Sequence, residues 1–128
     1  MQEWILSRLH STIRVSDEAY DGYDGTRAAR SIELFVDDLS NWYIRRSRHR
    51  FWAGKKSSEF TAVSEHSKLS AYQTTYESLL GLSILMSPIA PFFGDWLYRR
   101  LTETLPEQTH LSVHTEAFPE VIESVMKI

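Results

Sequence analysis

The feature that most constrains this chain is the apolar spacing between Thr26 and Phe51. Ala28, Ile32, Phe35, Leu39, Trp42 and Tyr43 recur three and four residues apart, and Val36 widens the stripe. That period belongs to an α-helix with one buried face. A helix of ~25 residues is about 37 Å long at 1.5 Å per residue. In a chain of 128 residues such a rod is the natural spine of a bundle.

The remaining segments supply partners for it. Trp4, Ile5, Leu9 and Ile13 predict a first helix from Gln2 to Ser16, running on toward Tyr20. The stretch YDGYDGT then breaks the pattern. Its two Asp-Gly pairs favour a turn with glycine at positive φ, and Asp24 or Thr26 is placed to cap the next helix. Residues 53–66 are polar and serine-rich and read as a loop. A third helix is expected over 67–87. Leu69, Tyr72, Tyr76, Leu79, Leu80, Ser83 and Met86 line one side, and Leu82 and Leu85 add a second. Pro88 and Pro91 end it, and a fourth helix opens at Pro91 with Phe92, Trp96, Leu97 and Leu101 on its inner face. Beyond Pro106, His110 to Phe118 reads as an extended strap or a short edge strand, and Pro119 opens a short final helix. The expectation is all-α: one domain over 1–128, an up-down bundle of four to five helices to about residue 106, with an extended C-terminal strap and terminal helix over 107–128.

Hydrophobic content of 42 % argues against disorder. There is no cysteine, which excludes a thiolate nucleophile, a disulfide framework or a cysteine zinc site in these residues and fits a reducing, cytoplasmic setting. No run approaches ~18 apolar residues, so no membrane-spanning helix is expected. The opening MQEWILSRLH carries an early acid and no long apolar core, unlike a signal peptide. It starts inside a helical pattern, so a longer parent is expected.

Charge is distributed unevenly. Arg45, Arg46, Arg48, Arg50, Lys55 and Lys56 lie within twelve residues that hold no acid. The formal net charge is −3, so the rest of the chain carries −9. By the helical period Asn41, Arg45, Arg48 and Trp52 share one face, and Tyr43, Arg46 and Arg50 another. Guanidinium forks match phosphate oxygens and stack on bases. A solvated face or the cationic end of a helix would carry the same residues. Flanking tryptophans and the lack of nearby acids point to a phosphate-binding surface. Arg45, Arg48 and Arg50, with Lys55 and Lys56, are the candidate backbone contacts. Asn41 and Trp52 are candidates for contacts to bases. Trp42, Tyr43 and Arg46 read as structural or domain-docking, with Arg46 half buried and in need of a carboxylate.

LSNWYIRRSRHRFW, covering 39–52, closely resembles a stretch of the isoleucyl-tRNA synthetase family, with His49 where a basic residue is common. WILSRL at the start, AYQTTYESLLGLSILMSPIAPFFGDWLY in the middle and SVHTEAFPE near the end are similar to the same family. The valine branch resembles the chain around Trp42-Tyr43 but tends to carry an acid where Arg45 and Arg46 stand. The resemblance implies a helical anticodon-binding domain whose partners are isoleucine tRNA and the enzyme's own catalytic domain, with neither membrane nor DNA. It implies a parent that uses ATP and Mg to charge tRNA with isoleucine and that edits mischarged valine, and it leaves Zn open there.

Neither catalytic signature of that family, a HIGH-type motif or a KMSKS-type loop, is present. His10 is followed by Ser11 and Thr12, and Lys55-Lys56-Ser57-Ser58 is not a match. The expectation is therefore no catalytic residue, no metal site and no cofactor in these residues. His110 and His114 are four apart, but in an extended strap they would share no face. The glycines form no phosphate loop, and no nucleophile elbow is visible. Two alternatives stay open: a structural module that supports the catalytic domain, and the equivalent domain of a valyl-tRNA synthetase; the start inside a helical pattern argues against a third, a stand-alone helical adaptor.

Overall fold

The computed structural model describes residues 2–52, 62–103 and 112–122; the backbone alone is described for Arg50, Trp52 and 62–65. Among the described residues the elements are α1 (Gln2–Asp21), α2 (Gly25–Asp37), a π-helical segment (Asp38–Ile44), α3 (Arg48–Trp52), α4 (Ala62–Met86), α5 (Pro91–Thr102) and a 3-10 turn (Val113–Thr115). The fold is all-α. α1 packs on α2 and α4, and α4 packs on α5; the pairs Arg8–Asp38 and Glu18–Arg27 show that the chain reverses direction after α1, as in an up-down bundle.

The core holds Ile5, Leu9 and Ile13 of α1, Ile32 and Phe35 of α2, Leu39 and Tyr43 of the π segment, and Leu82 and Leu85 of α4. Each such side chain contributes about 1.5–3 kcal/mol relative to exposure. The Tyr43 phenol is fully buried and donates to the Ala71 carbonyl at 3.3 Å. α4 meets this core through Leu82 and Leu85 near its C-terminal end and through small residues nearer its start. Ala71, Thr74 and Ser78 are buried, whereas Leu69 and Tyr72, expected inside, are exposed. Tyr43 reaches across to the Ala71 carbonyl and takes up the space on that face. A Cβ on Gly81 would stand 3.2 Å from Leu9 Cδ1, so α1 and α4 approach closely there.

The expected single helix over 26–51 is interrupted by the π segment. Phe35, Leu39, Tyr43 and Ser47 are buried at strict four-residue spacing, and Phe51 is half buried. On an α-helix each such step overshoots a turn by about 40°, so four steps would swing Phe51 about 160° away from Phe35. The wider π turns absorb the overshoot. Trp42 pays for the correction: an unbroken helix would align it with Phe35, but it is 46 % exposed.

The turn between α1 and α2 also departs from expectation. Asp24 N donates to Ala19 O at 2.7 Å and Tyr23 N to Tyr20 O at 3.1 Å. These are the paired bonds of a Schellman cap. Its left-handed position falls on Tyr23 (φ 56°), and no described glycine has positive φ. The Asp24 side chain caps α2 by accepting from Arg27 N at 3.0 Å.

α4 begins before the expected start near Ser67. The inner face expected for α5 is also rotated. Gly94, Tyr98 and Thr102 are buried, Phe92 is 91 % exposed and Trp96 is half exposed. The reason is a tight crossing: a Cβ on Gly94 would stand 3.0 Å from the Ser83 carbonyl.

The tail is a strap, without a strand among its described residues. Asp95 Oδ1 accepts from Val113 N at 3.0 Å and from Ser112 Oγ at 2.9 Å. The Tyr98 hydroxyl donates to Glu116 Oε2 at 2.9 Å; burial first, then that carboxylate, push its pKa to about 12. Phe118 meets Tyr20 edge-on at 6.2 Å, and His10 Nδ1 accepts from Ile122 N at 3.2 Å. Residues 119–122 are not helical, in contrast to the expected opening of a final helix at Pro119. The remainder of that expected helix lies outside the described residues.

Candidate nucleic-acid interface

The π segment, α3 and α4 enclose an open groove of about 600 Å³ lined by Ser40, Ile44, Arg45, Arg48, Phe51, Tyr72 and Thr75. Arg45 and Arg48 stand together on one wall, as the helical spacing predicted. The Tyr72 ring packs on Phe51 at 5.0 Å with 70° between planes, and its hydroxyl donates to the Phe51 carbonyl at 3.3 Å. Cationic wall and half-exposed aromatic floor therefore sit in one concavity.

The acids just before the arginines are engaged. Asp38 Oδ2 accepts from Arg8 Nε at 2.8 Å, which ties the π segment to α1. Asp37 Oδ1 accepts from the Asn41 side-chain amide. Among the described residues no carboxylate pairs with Arg45 or Arg46. The two acids that precede the arginines in the chain thus have their hydrogen bonds elsewhere, Asp38 with Arg8 and Asp37 with Asn41.

The other candidates separate. Asn41 is exposed, is held by Asp37, and does not line the groove. Tyr43 is core. Arg46, expected to be half buried on a carboxylate, is exposed and lies 4.7 Å over the Trp42 ring. The face expected to join Tyr43 to Arg46 is therefore split by the π turn. Lys55 and Lys56, and the side chains of Arg50 and Trp52, lie outside the described residues.

Comparison with known proteins bears on what such a groove serves. Residues 2–127 match the family model described as the anticodon-binding domain of tRNA ligase. The chain belongs to this family. It is also similar to isoleucine–tRNA ligases. That of Porphyromonas gingivalis is 49 % identical over 114 residues, covering 88 % of this chain and 9 % of the relative. That of Thermobifida fusca is 42 % identical over 127 residues, covering 98 % and 11 %. That of Bacteroides thetaiotaomicron is 43 % identical over 127 residues, covering 98 % and 10 %. The chain spans about a tenth of the length of these relatives.

Within this anticodon-binding domain, sequence reading missed Tyr72 and Thr75, which come from α4 and complete the groove. A signal was present: Tyr72 stands among Ser70, Gln73, Thr74 and Thr75, a polar setting for a core aromatic. No cluster of three histidine, aspartate or glutamate side chains gathers among the described residues. Nor is any described helix long and apolar enough to cross a membrane.

Proposed function

We propose that this domain holds the anticodon arm of isoleucine tRNA in the groove between the π segment and α4, and that the parent is an isoleucine–tRNA ligase. Arg45 and Arg48 neutralise phosphates and fix the register of the arm, a role that positions RNA without reading it. Tyr72, with Ser40 and Thr75 beside it, offers an unpaired loop base a ring to stack on and hydroxyls to bond. The observation that carries this reading is the pairing of Arg45 and Arg48 over the Tyr72–Phe51 floor, with Asp37 and Asp38 occupied elsewhere. ATP- and Mg-dependent activation of isoleucine belongs to other parts of the parent.

The test is Arg45→Ala with Arg48→Ala in the whole ligase. Isoleucine-dependent pyrophosphate exchange is expected to stay within about twofold, and tRNA charging to fall about tenfold or more. A second reading is that this region docks on the catalytic part. The exposed Trp42–Arg46 pair favours it. Equal loss of exchange and charging would select docking over RNA binding.

A further inference from the structure

A second groove lies between α1 and α2, about 300 Å³ in volume and lined by Arg8, Ser11, Thr12, Val15, Arg27, Arg30, Ser31 and Leu34. Arg30 pairs with no carboxylate among the described residues. Arg27 makes a loose pair with Glu18 at 3.6 Å between two exposed side chains. Arg8 donates to Asp38 through Nε alone, which leaves other donors of its fork open. The groove is thus a cluster of three guanidinium groups beside the Ser31 hydroxyl.

This groove adjoins the one already described through shared lining residues. Arg30 and Leu34 also line a depression of about 550 Å³ with Glu33, Val36, Asp37 and Ser40, and Ser40 in turn lines the Arg45–Arg48 groove. One track therefore runs along the outer face of α2, cationic at both ends and acidic in the middle. Arg30 and Arg45 are about 20 Å apart by the helical rise. A single strand laid along the track would set its intermediate phosphates against Glu33 and Asp37. A duplex laid across it would not. The two backbones of an A-form stem flank a wide, shallow minor groove that displays 2′-hydroxyls. Phosphates then meet only the two arginine ends, and 2′-hydroxyls donate to the central carboxylates.

We infer that the α1–α2 groove is a second RNA contact, which takes one backbone of a helical stem while the Arg45–Arg48 groove takes the other side and the loop beyond it. The inference rests on the tRNA-binding reading above and adds a requirement for double-stranded A-form RNA.

The experiment titrates the 128-residue chain with three labelled probes at about 50 and 200 mM salt. The probes are an anticodon stem-loop hairpin of isoleucine tRNA, the same hairpin with a deoxyribose stem, and a linear RNA of the loop sequence. Arg27→Ala with Arg30→Ala is expected to weaken the all-ribose hairpin about tenfold, to reduce its salt slope by about 1 to 2, and to leave the linear RNA unchanged. The wild type is expected to bind the deoxyribose stem several-fold more weakly. Far-UV circular dichroism checks that the variant is folded, and Arg30→Glu, a single change of opposite charge, is expected to exceed Arg30→Ala in effect. An unchanged hairpin curve in R27A/R30A, equal weakening of hairpin and linear RNA, or indifference to deoxyribose overturns the inference. If instead R45A/R48A binds like wild type while R27A/R30A is weakened, the earlier reading fails, the two-sided grip falls with it, and the α1–α2 groove alone is the RNA contact. No binding of wild type to any probe overturns both.

Discussion

The Tyr72 hydroxyl of α4 donates to the main-chain carbonyl of Phe51 in α3, and their two rings meet edge to face. Tyr72 thereby ties α3 to α4 and at the same time floors the groove. Tyr72→Phe keeps the ring and is expected to leave hairpin affinity within about twofold. Tyr72→Ala is expected to lower it about tenfold, the scale of one base–aromatic stack. Fluorescence anisotropy with the stem-loop hairpin checks both; equal effects of the two variants would remove the ring from the interface.

Tyr23 occupies a left-handed cap position that glycine fills at no steric cost, and its side chain is 97 % exposed. Tyr23→Gly is expected to stabilise the chain by about 0.5–1 kcal/mol, read as a higher urea midpoint at unchanged m-value. Destabilisation would mean that the ring makes a contact worth more than the relieved backbone.

The hydroxyl of Ser78 is fully buried and has no hydrogen-bond partner among the described residues. An unmade bond of this kind costs about 1 kcal/mol or more. Ser78→Ala removes it with almost no change in shape, so stability is expected to hold or rise by up to about 1 kcal/mol. A loss beyond about 1 kcal/mol on chemical denaturation would reveal a bonded hydroxyl.

His10 joins α1 to the strap by accepting from Ile122 N. Burial lowers its pKa below the ordinary 6.5, and the Glu77 carboxylate opposes that shift. A group with a depressed folded pKa stabilises fully above its unfolded value and loses that stability as pH falls through the folded one. The strap is therefore expected to hold above about pH 6.5 and to loosen at lower pH, because protonated Nδ1 no longer accepts. Amide exchange at 118–122 across this window checks the prediction. His10→Gln is expected to abolish the pH dependence, and a dependence that persists in it would point to another group.

Helix positions were legible wherever large apolar residues set the period, as in α1 and α2. Faces were misread where the period alone could not say how closely two helices approach. In α5 the bulky Phe92 and Trp96 suggested an inner face. The crossing at Gly94 turned Tyr98 and Thr102 inward instead. In α4 the second apolar side, Leu82 and Leu85, is the buried one, and nearer the start the stripe continues as Ala71, Thr74 and Ser78, which weigh little on any hydropathy pattern. The π segment was encoded in the four-residue spacing of Phe35, Leu39, Tyr43, Ser47 and Phe51, but Trp42 fits the α-helical alternative equally well. The arginine wall of the groove was visible along one helix. Its Tyr72 floor was not, because α3 and α4 come together only through tertiary packing.

The central claim is that Arg45 and Arg48 meet phosphates. The most direct measurement is the affinity of this chain for the stem-loop hairpin as a function of salt, for wild type and for R45A/R48A. Each lost phosphate contact removes about one unit of slope in log K against log salt, so a slope shallower by about 2 is expected together with weaker binding. An R45A/R48A variant that keeps the wild-type slope would contradict the account.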